Sequence, residues 1–233
     1  MAKIPKSIHS GKIFKDGKEY ILDPFTSKKV KAVWRPYSTE LGYLAIAWNE
    51  LHYTLMSLFA MLSWRPKNEA SAKAVWYAVD SDFSQRKMLR AVIESHPTVP
   101  DGRELPEALA KEILWILNQI DESLRHKRNN ALHAPLLAMC GVYDGAVRYW
   151  AEAHLDPQNP RAKPLRGKDL IQEFRDYTEQ ADMLGVYAGH IFAFLSHRPV
   201  SWPKRPSSPQ AHKKKKTTRR GKRLLPPHLR GAS

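Results

Sequence analysis

Leu41, Leu44, Trp48, Leu51, Leu55, Leu58 and Leu62 recur at alternating intervals of three and four residues. An α-helix places such a series on one face, because its turn of about 3.6 residues brings those positions into line. A face of that length is stable only when buried against others of its kind. The chain supplies them. A second helical region begins near Asn68, pauses at Asp80-Ser81-Asp82 and resumes through Met88, Leu89, Val92 and Ile93. A third opens at Pro106 and Glu107 and carries Leu109, Ile113, Ile116, Ile120 and Leu124. The last runs from about Asp169 to Ser196, with Leu170, Phe174, Tyr177, Ala181, Leu184, Tyr187, Ile191 and Leu195 on one side. Stripes of this kind pack most simply as an up-and-down bundle of four to five long helices, so the expected fold class is mainly α.

The punctuation fits that reading. Ser38 is placed to cap the first helix and Pro66 to end it. Pro199 closes the last. Asp144-Gly145 lies between Val142-Tyr143 and Ala146-Val147, which predicts a small β-hairpin around 136–153, with a short helix as the competing reading. A short strand is expected at Glu19-Tyr20-Ile21-Leu22, and a loop from Asp156 to Arg166.

The net charge of +15 is concentrated at the ends. Residues 1–35 carry +6, residues 199–233 carry +11 without one acid, and the 36–198 body carries −2. The expected organisation is a basic N-terminal arm, a helical domain over 36–198 and a disordered basic tail. Detached basic arms point to an acidic partner, with nucleic acid the first choice. Cys140 is the only cysteine, so no intrachain disulfide can form. With neither a membrane-length apolar run nor a signal-peptide pattern, the expectation is a cytoplasmic protein that does not enter a membrane.

The third helical stripe leads into Arg128-Asn129-Asn130-Ala131-Leu132-His133. An arginine with a histidine shortly after it means little alone, since Arg90/His96, Arg148/His154, Arg205/His212 and Arg223/His228 share the pattern. Asparagine directly after the arginine leaves only Arg128-Asn129 with His133. Arg128 lies four residues beyond Leu124, so it continues toward the packed face. A forked guanidinium can hold a phosphate, and an imidazole can move protons near neutral pH. On one continuous helix, however, residues five apart diverge by about 140°. Meeting at one phosphate therefore requires a helix break at Asn129-Asn130, or two copies of the motif.

A long-helix bundle bearing Arg128, Asn129 and His133 resembles the HEPN domain family, whose signature is an arginine, a polar residue and a histidine four to six positions after the arginine. The resemblance covers about residues 38–197, and Trp48-Asn49-Glu50-Leu51-His52 is similar to the first helix of HEPN-like proteins. It implies a metal-independent endoribonuclease of a toxin–antitoxin, phage-defence or RNA-processing system, with an antitoxin or regulatory protein as partner. It also implies a homodimer whose single cleft holds two Arg128 and two His133. His133 would then act as general base on a ribose 2′-hydroxyl or general acid on the leaving oxygen, and Arg128 would stabilise charge on the phosphate. Asn129 would orient the substrate or the histidine, the product would be a 2′,3′-cyclic phosphate, and neither metal nor other cofactor would be needed. A toxin subgroup of the family has a tyrosine two residues after the histidine, where this chain has Pro135.

Further residues are candidates for support and binding. Asn49 and Glu50 on the first helix could hydrogen-bond to the site. Arg86, Lys87 and Arg90 could line an RNA groove, with Lys213, Lys214, Lys215, Lys216, Arg219, Arg220, Lys222 and Arg223 of the tail. His126, His133 and Cys140, seven apart, would align on a straight helix, but Pro135 interrupts it. The alternatives to an enzyme are a non-catalytic module binding nucleic acid or protein through its basic arms, and a bundle in which Arg128 only finishes a helix.

Overall fold

The computed structural model describes residues 12–15, 18–21, 28–63, 69–95, 97–99, 102–134, 136–143, 146–153, 160–196 and 201–206. The described chain is mainly helical, and none of its helices is long and apolar enough to cross a membrane. Its helices are α1 (Lys28–Ser63), α2 (Glu69–Tyr77), α3 (Asp82–Glu94), α4 (Glu107–Gln119), α5 (Arg125–His133) and α6 (Leu170–Leu195).

The apolar stripes read from the sequence form the core. On α1, Leu44, Trp48, Leu51, Leu55, Leu58 and Leu62 are buried, and Leu41 packs against them half-buried. All eight stripe residues of α6 are buried, as are Leu109, Ile113, Ile116, Ile120 and Leu124. Helices α1 and α6 run in the same direction, since Arg175 meets Glu40 (Nε–Oε1 2.7 Å) and, ten residues on, Gly185 sits against Leu51. A Cβ at Gly185 would already touch the Leu51 backbone at 3.6 Å, so the position admits nothing much larger than a methyl group. The α4–α5 segment runs against α6: Tyr187 Oη donates to Glu112, and Lys127 reaches Gln180. It also runs against α3, where Arg90 donates to Asn118 and Arg86 to Asp121.

Between α4 and α5 the helix widens into a π turn, Ile120–Leu124, in which the Arg125 N–H bonds to the Ile120 carbonyl five residues back. Such a turn re-phases the side chains that follow it and is frequent at functional sites. Between α3 and α4, Thr98 and Glu104 form an isolated bridge, closed by Gly102 at a φ of 85° that favours glycine.

Strands β1 (Lys12–Lys15), β2 (Lys18–Ile21), β3 (Leu136–Tyr143) and β4 (Ala146–Ala153) are joined in the order β1-β2-β3-β4, all antiparallel. In the last pair Leu136 lies opposite Ala153 and Tyr143 opposite Ala146. The expected turn at Asp144-Gly145 is outside the described residues.

Two boundaries differ from expectation. Helix α1 begins at Lys28, inside the region read as the N-terminal arm, and runs through Pro36. Ser38 is therefore not its cap: the hydroxyl donates back to the carbonyls of Trp34 and Arg35, as mid-helix serines do. At the other end, the first part of the supposed tail is packed. Trp202 meets Phe194 edge-on at 5.2 Å, Pro203 is buried, and Arg205 grips Glu112 of α4 through two hydrogen bonds.

Candidate functional site

Trp48 organises the polar residues of the domain. It lies in the buried stripe of α1, and its indole N–H donates to Asp82 Oδ2 at 2.9 Å, at the first turn of α3. One turn along α1, the His52 ring lies 4.8 Å from the indole. Arg86, one turn into α3, is 1% exposed. Its Nε and Nη2 both approach Asp121 Oδ1, at 2.9 and 2.8 Å, and Nη1 lies 3.1 Å from His52 Nε2. A guanidinium can only donate, so His52 Nε2 accepts and the neutral ring carries its proton on Nδ1. Burial lowers the His52 pKa to about 4; Asp82 opposes the shift and Arg86 adds to it. Burial likewise pushes Arg86 down while Asp121 pulls it back up.

Arg128 approaches the same indole from α5, its guanidinium carbon 5.2 Å from the ring centroid. Its Nη1 donates to Asn129 Oδ1 at 3.0 Å, and its buried Nε has no hydrogen-bond partner. Among the described residues it makes no ion pair. The inward course expected from Leu124 is thus the observed one, and Asn129 touches the arginine it follows.

His133 is placed differently. It occupies the last turn of α5, is exposed, and makes no hydrogen bond among the described residues. The helix does not break at Asn129-Asn130; it is continuous from Arg125 to His133, and the backbone turns extended only at Ala134. Arg128 and His133 of one chain therefore point to different sides of one helix.

The remaining candidates separate. Asn49 and Glu50 are exposed on α1 and hydrogen-bond to none of the motif residues through their side chains; instead they line a cleft of about 580 Å³ with Tyr53, Trp76, Tyr77 and Gln85. Arg86, Lys87 and Arg90 do not form one basic face. Arg86 is in the core, because it falls three residues before Leu89 and seven before Ile93, on the buried stripe of α3. Lys87 is exposed over the Phe83 ring, and Arg90 is spent on Asn118. Cys140 lies in β3 rather than on a helix with His126 and His133. Lys213, Lys214, Lys215, Lys216, Arg219, Arg220, Lys222 and Arg223 are outside the described residues.

Sequence reasoning passed over His52, Asp82 and Asp121. His52 was legible in part: it sits four residues from Trp48 and three from Leu55, at the margin of the α1 stripe. Asp121 was not, because its partner Arg86 lies 35 residues away on another helix. Comparison of the chain with family models, with characterised proteins and with solved structures finds no match.

Proposed function

We propose that the chain is a HEPN-like, metal-independent endoribonuclease acting as a homodimer in the cytoplasm. In this reading the helices form an up-and-down bundle, with β3 and β4 a hairpin between α5 and α6. The observation that carries it is the state of Arg128. This guanidinium is held in place by Trp48 and Asn129 but neutralised by no acid among the described residues, so it is preorganised to receive an anion.

The divergence of Arg128 and His133 along α5 favours a site shared between two copies over one within a single chain. In the dimer, His133 of one copy faces a phosphate held by Arg128 of the other. His133 takes the 2′-hydroxyl proton or returns one to the leaving 5′-oxygen, and the 2′-oxygen attacks phosphorus to give a 2′,3′-cyclic phosphate. An antitoxin-like protein that occupies the Arg128 face would silence it.

The test is cleavage of fluorescent single-stranded RNA in EDTA. Arg128→Ala and His133→Ala should each reduce the rate about 100-fold or more, the scale of losing one charge-stabilising or proton-transferring group. Mixing the two inactive variants should restore part of the activity, because one mixed dimer joins an intact arginine to an intact histidine. Binding of RNA without cleavage in wild type would instead support the non-catalytic module.

A further inference from the structure

The cleft beside Trp48 has an unusual lining for a protein that is basic overall. Tyr53 and Tyr77 flank it, 59% and 63% exposed, and Trp48 and Trp76 form its floor. The carboxylates among its lining residues are Glu50 and Asp82, and no lysine or arginine among the described residues lines it. Lys73 stands nearby, but its ammonium is held by Glu69 at 2.6 Å. Arg128 lies on Trp48 without being a lining residue. On the outer side Glu50 also borders a groove with Asp182, Tyr43 and Ile46, the last two 56% and 57% exposed, whose one arginine, Arg175, is paired with Glu40. Burial, and then the neighbouring Glu50, raises the Asp182 pKa.

Aromatic faces joined to carboxylates attract ammonium and guanidinium groups and repel phosphate. We propose that this cleft is a receptor for a cationic side chain, and that its occupant is the chain's own basic segment, residues 213–223. Charge and reach favour that source. The body carries −2 and the last 35 residues +11, so the cleft's complement is already tethered. The described chain reaches Pro206, next to the Arg205 contact with Glu112 and Tyr187. Gly185 sits against Leu51, so the cleft lies near the level of Tyr187, and a chain leaving the Arg205 contact must round α6 and then α1, about 10 Å each, with up to about 7.5 Å along the axis. Lys213 and Lys216 are seven and ten residues past Pro206 and can extend about 24 and about 34 Å, so the lysine run spans that path.

Zero-length carbodiimide crosslinking of the full chain tests it, using equal parts of ¹⁴N- and ¹⁵N-labelled protein so that peptide masses separate links within a chain from links between chains. Lys213–Lys216 should link to Glu50 within one chain, well above their links to Glu94 and Glu122, exposed carboxylates elsewhere on the domain. Tyr53→Ala/Tyr77→Ala, changing exposed side chains only, should lower the Glu50 link about fivefold with the circular dichroism unchanged, the scale of losing about 1 kcal/mol of cation–π attraction. Links spread evenly over Glu50, Glu94 and Glu122 would overturn the proposal. So would links found only between chains, links from the N-terminal lysines in place of the tail, or a tyrosine variant with undiminished yield. RNA cleavage enters none of these readings, so an inactive protein leaves the test intact.

Discussion

Arg86 and Arg128 lie over the same indole, 5.7 and 5.2 Å from the Trp48 centroid, yet they meet different surroundings. Arg86 is sealed in the core with a carboxylate and an imidazole on its donors. Arg128 is half-buried with one neutral amide. The difference teaches where this domain spends charge on folding and where it holds charge available. Desolvating a guanidinium costs several kcal/mol, and Asp121 and His52 offset that cost for Arg86. Arg128 avoids much of the cost by staying near solvent, so it needs no acid and can take one from a ligand.

The largest effect expected from this contrast is on stability. Asp121→Ala strands the Arg86 charge in the core and should cost about 3–5 kcal/mol, read from the urea unfolding midpoint. Arg86→Met should cost less, because it removes the buried charge and keeps apolar volume, while Asp121, partly exposed, can turn to water. Equal losses from Asp121→Ala and Arg128→Ala would break the distinction between the two arginines.

A second effect is on the pH dependence of stability. The folded His52 titrates at about 4, below its ordinary 6.5, so the unfolded chain binds a proton that the folded chain refuses between those values. Its contribution is therefore complete above about pH 6.5 and is lost as the pH falls toward 4, amounting to about 3 kcal/mol at most. His52→Gln cannot take up that proton and should flatten the curve over this interval. Thermal unfolding at several pH values checks it: a variant as acid-sensitive as the wild type would remove His52 from the network.

How far the sequence reaches differs between the helices and the cluster, for a physical reason. Periodicity reports which side of a helix is buried, so Leu44 to Leu62, Leu109 to Leu124 and Leu170 to Leu195 were legible, and with them the inward course of Arg128. The same rule places Arg86 on the α3 stripe, and reading it with Lys87 and Arg90 as a basic patch gave composition too much weight over phase. Partnership is another matter. Nothing local pairs Arg86 with Asp121, 35 residues away, and the π turn that begins beside Asp121 has no simple sequence mark. The start of α1 was lost because Pro36 and Ser38 look like a boundary; each is tolerated within a long packed helix. The Arg205 clip was hidden in a segment whose composition reads as tail.

Arg128→Ala should shift stability less than either change above, about 1–2 kcal/mol, the worth of one partly desolvated cation–π contact and its packing. An increase in stability in the wild type on adding inorganic phosphate, absent from the variant, would sharpen the case that this arginine accepts anions. No phosphate effect at all would count against it.

The smallest effect belongs to a third arginine over a tryptophan. Arg205 lies 4.8 Å from the Trp115 centroid and holds Glu112 with both prongs, at 2.8 and 2.9 Å. It has the acid that Arg128 lacks among the described residues and the exposure that Arg86 lacks, at 47% for its side chain. Water and salt screen such a pair, so Arg205→Ala should cost no more than about 1 kcal/mol, and less still in concentrated salt. The Asp121→Ala loss should persist there, since its charges are shielded from ions. A local readout is sharper than a global one. The hydrogen bond from Arg205 is the main cause that holds the Glu112 carboxyl below its ordinary pKa, with Tyr187 assisting against burial. Removing the guanidinium should let that carboxyl rise toward the usual range, as followed by NMR titration. An unmoved Glu112 would mean that the segment from Trp202 to Pro206 is held by its apolar contacts alone.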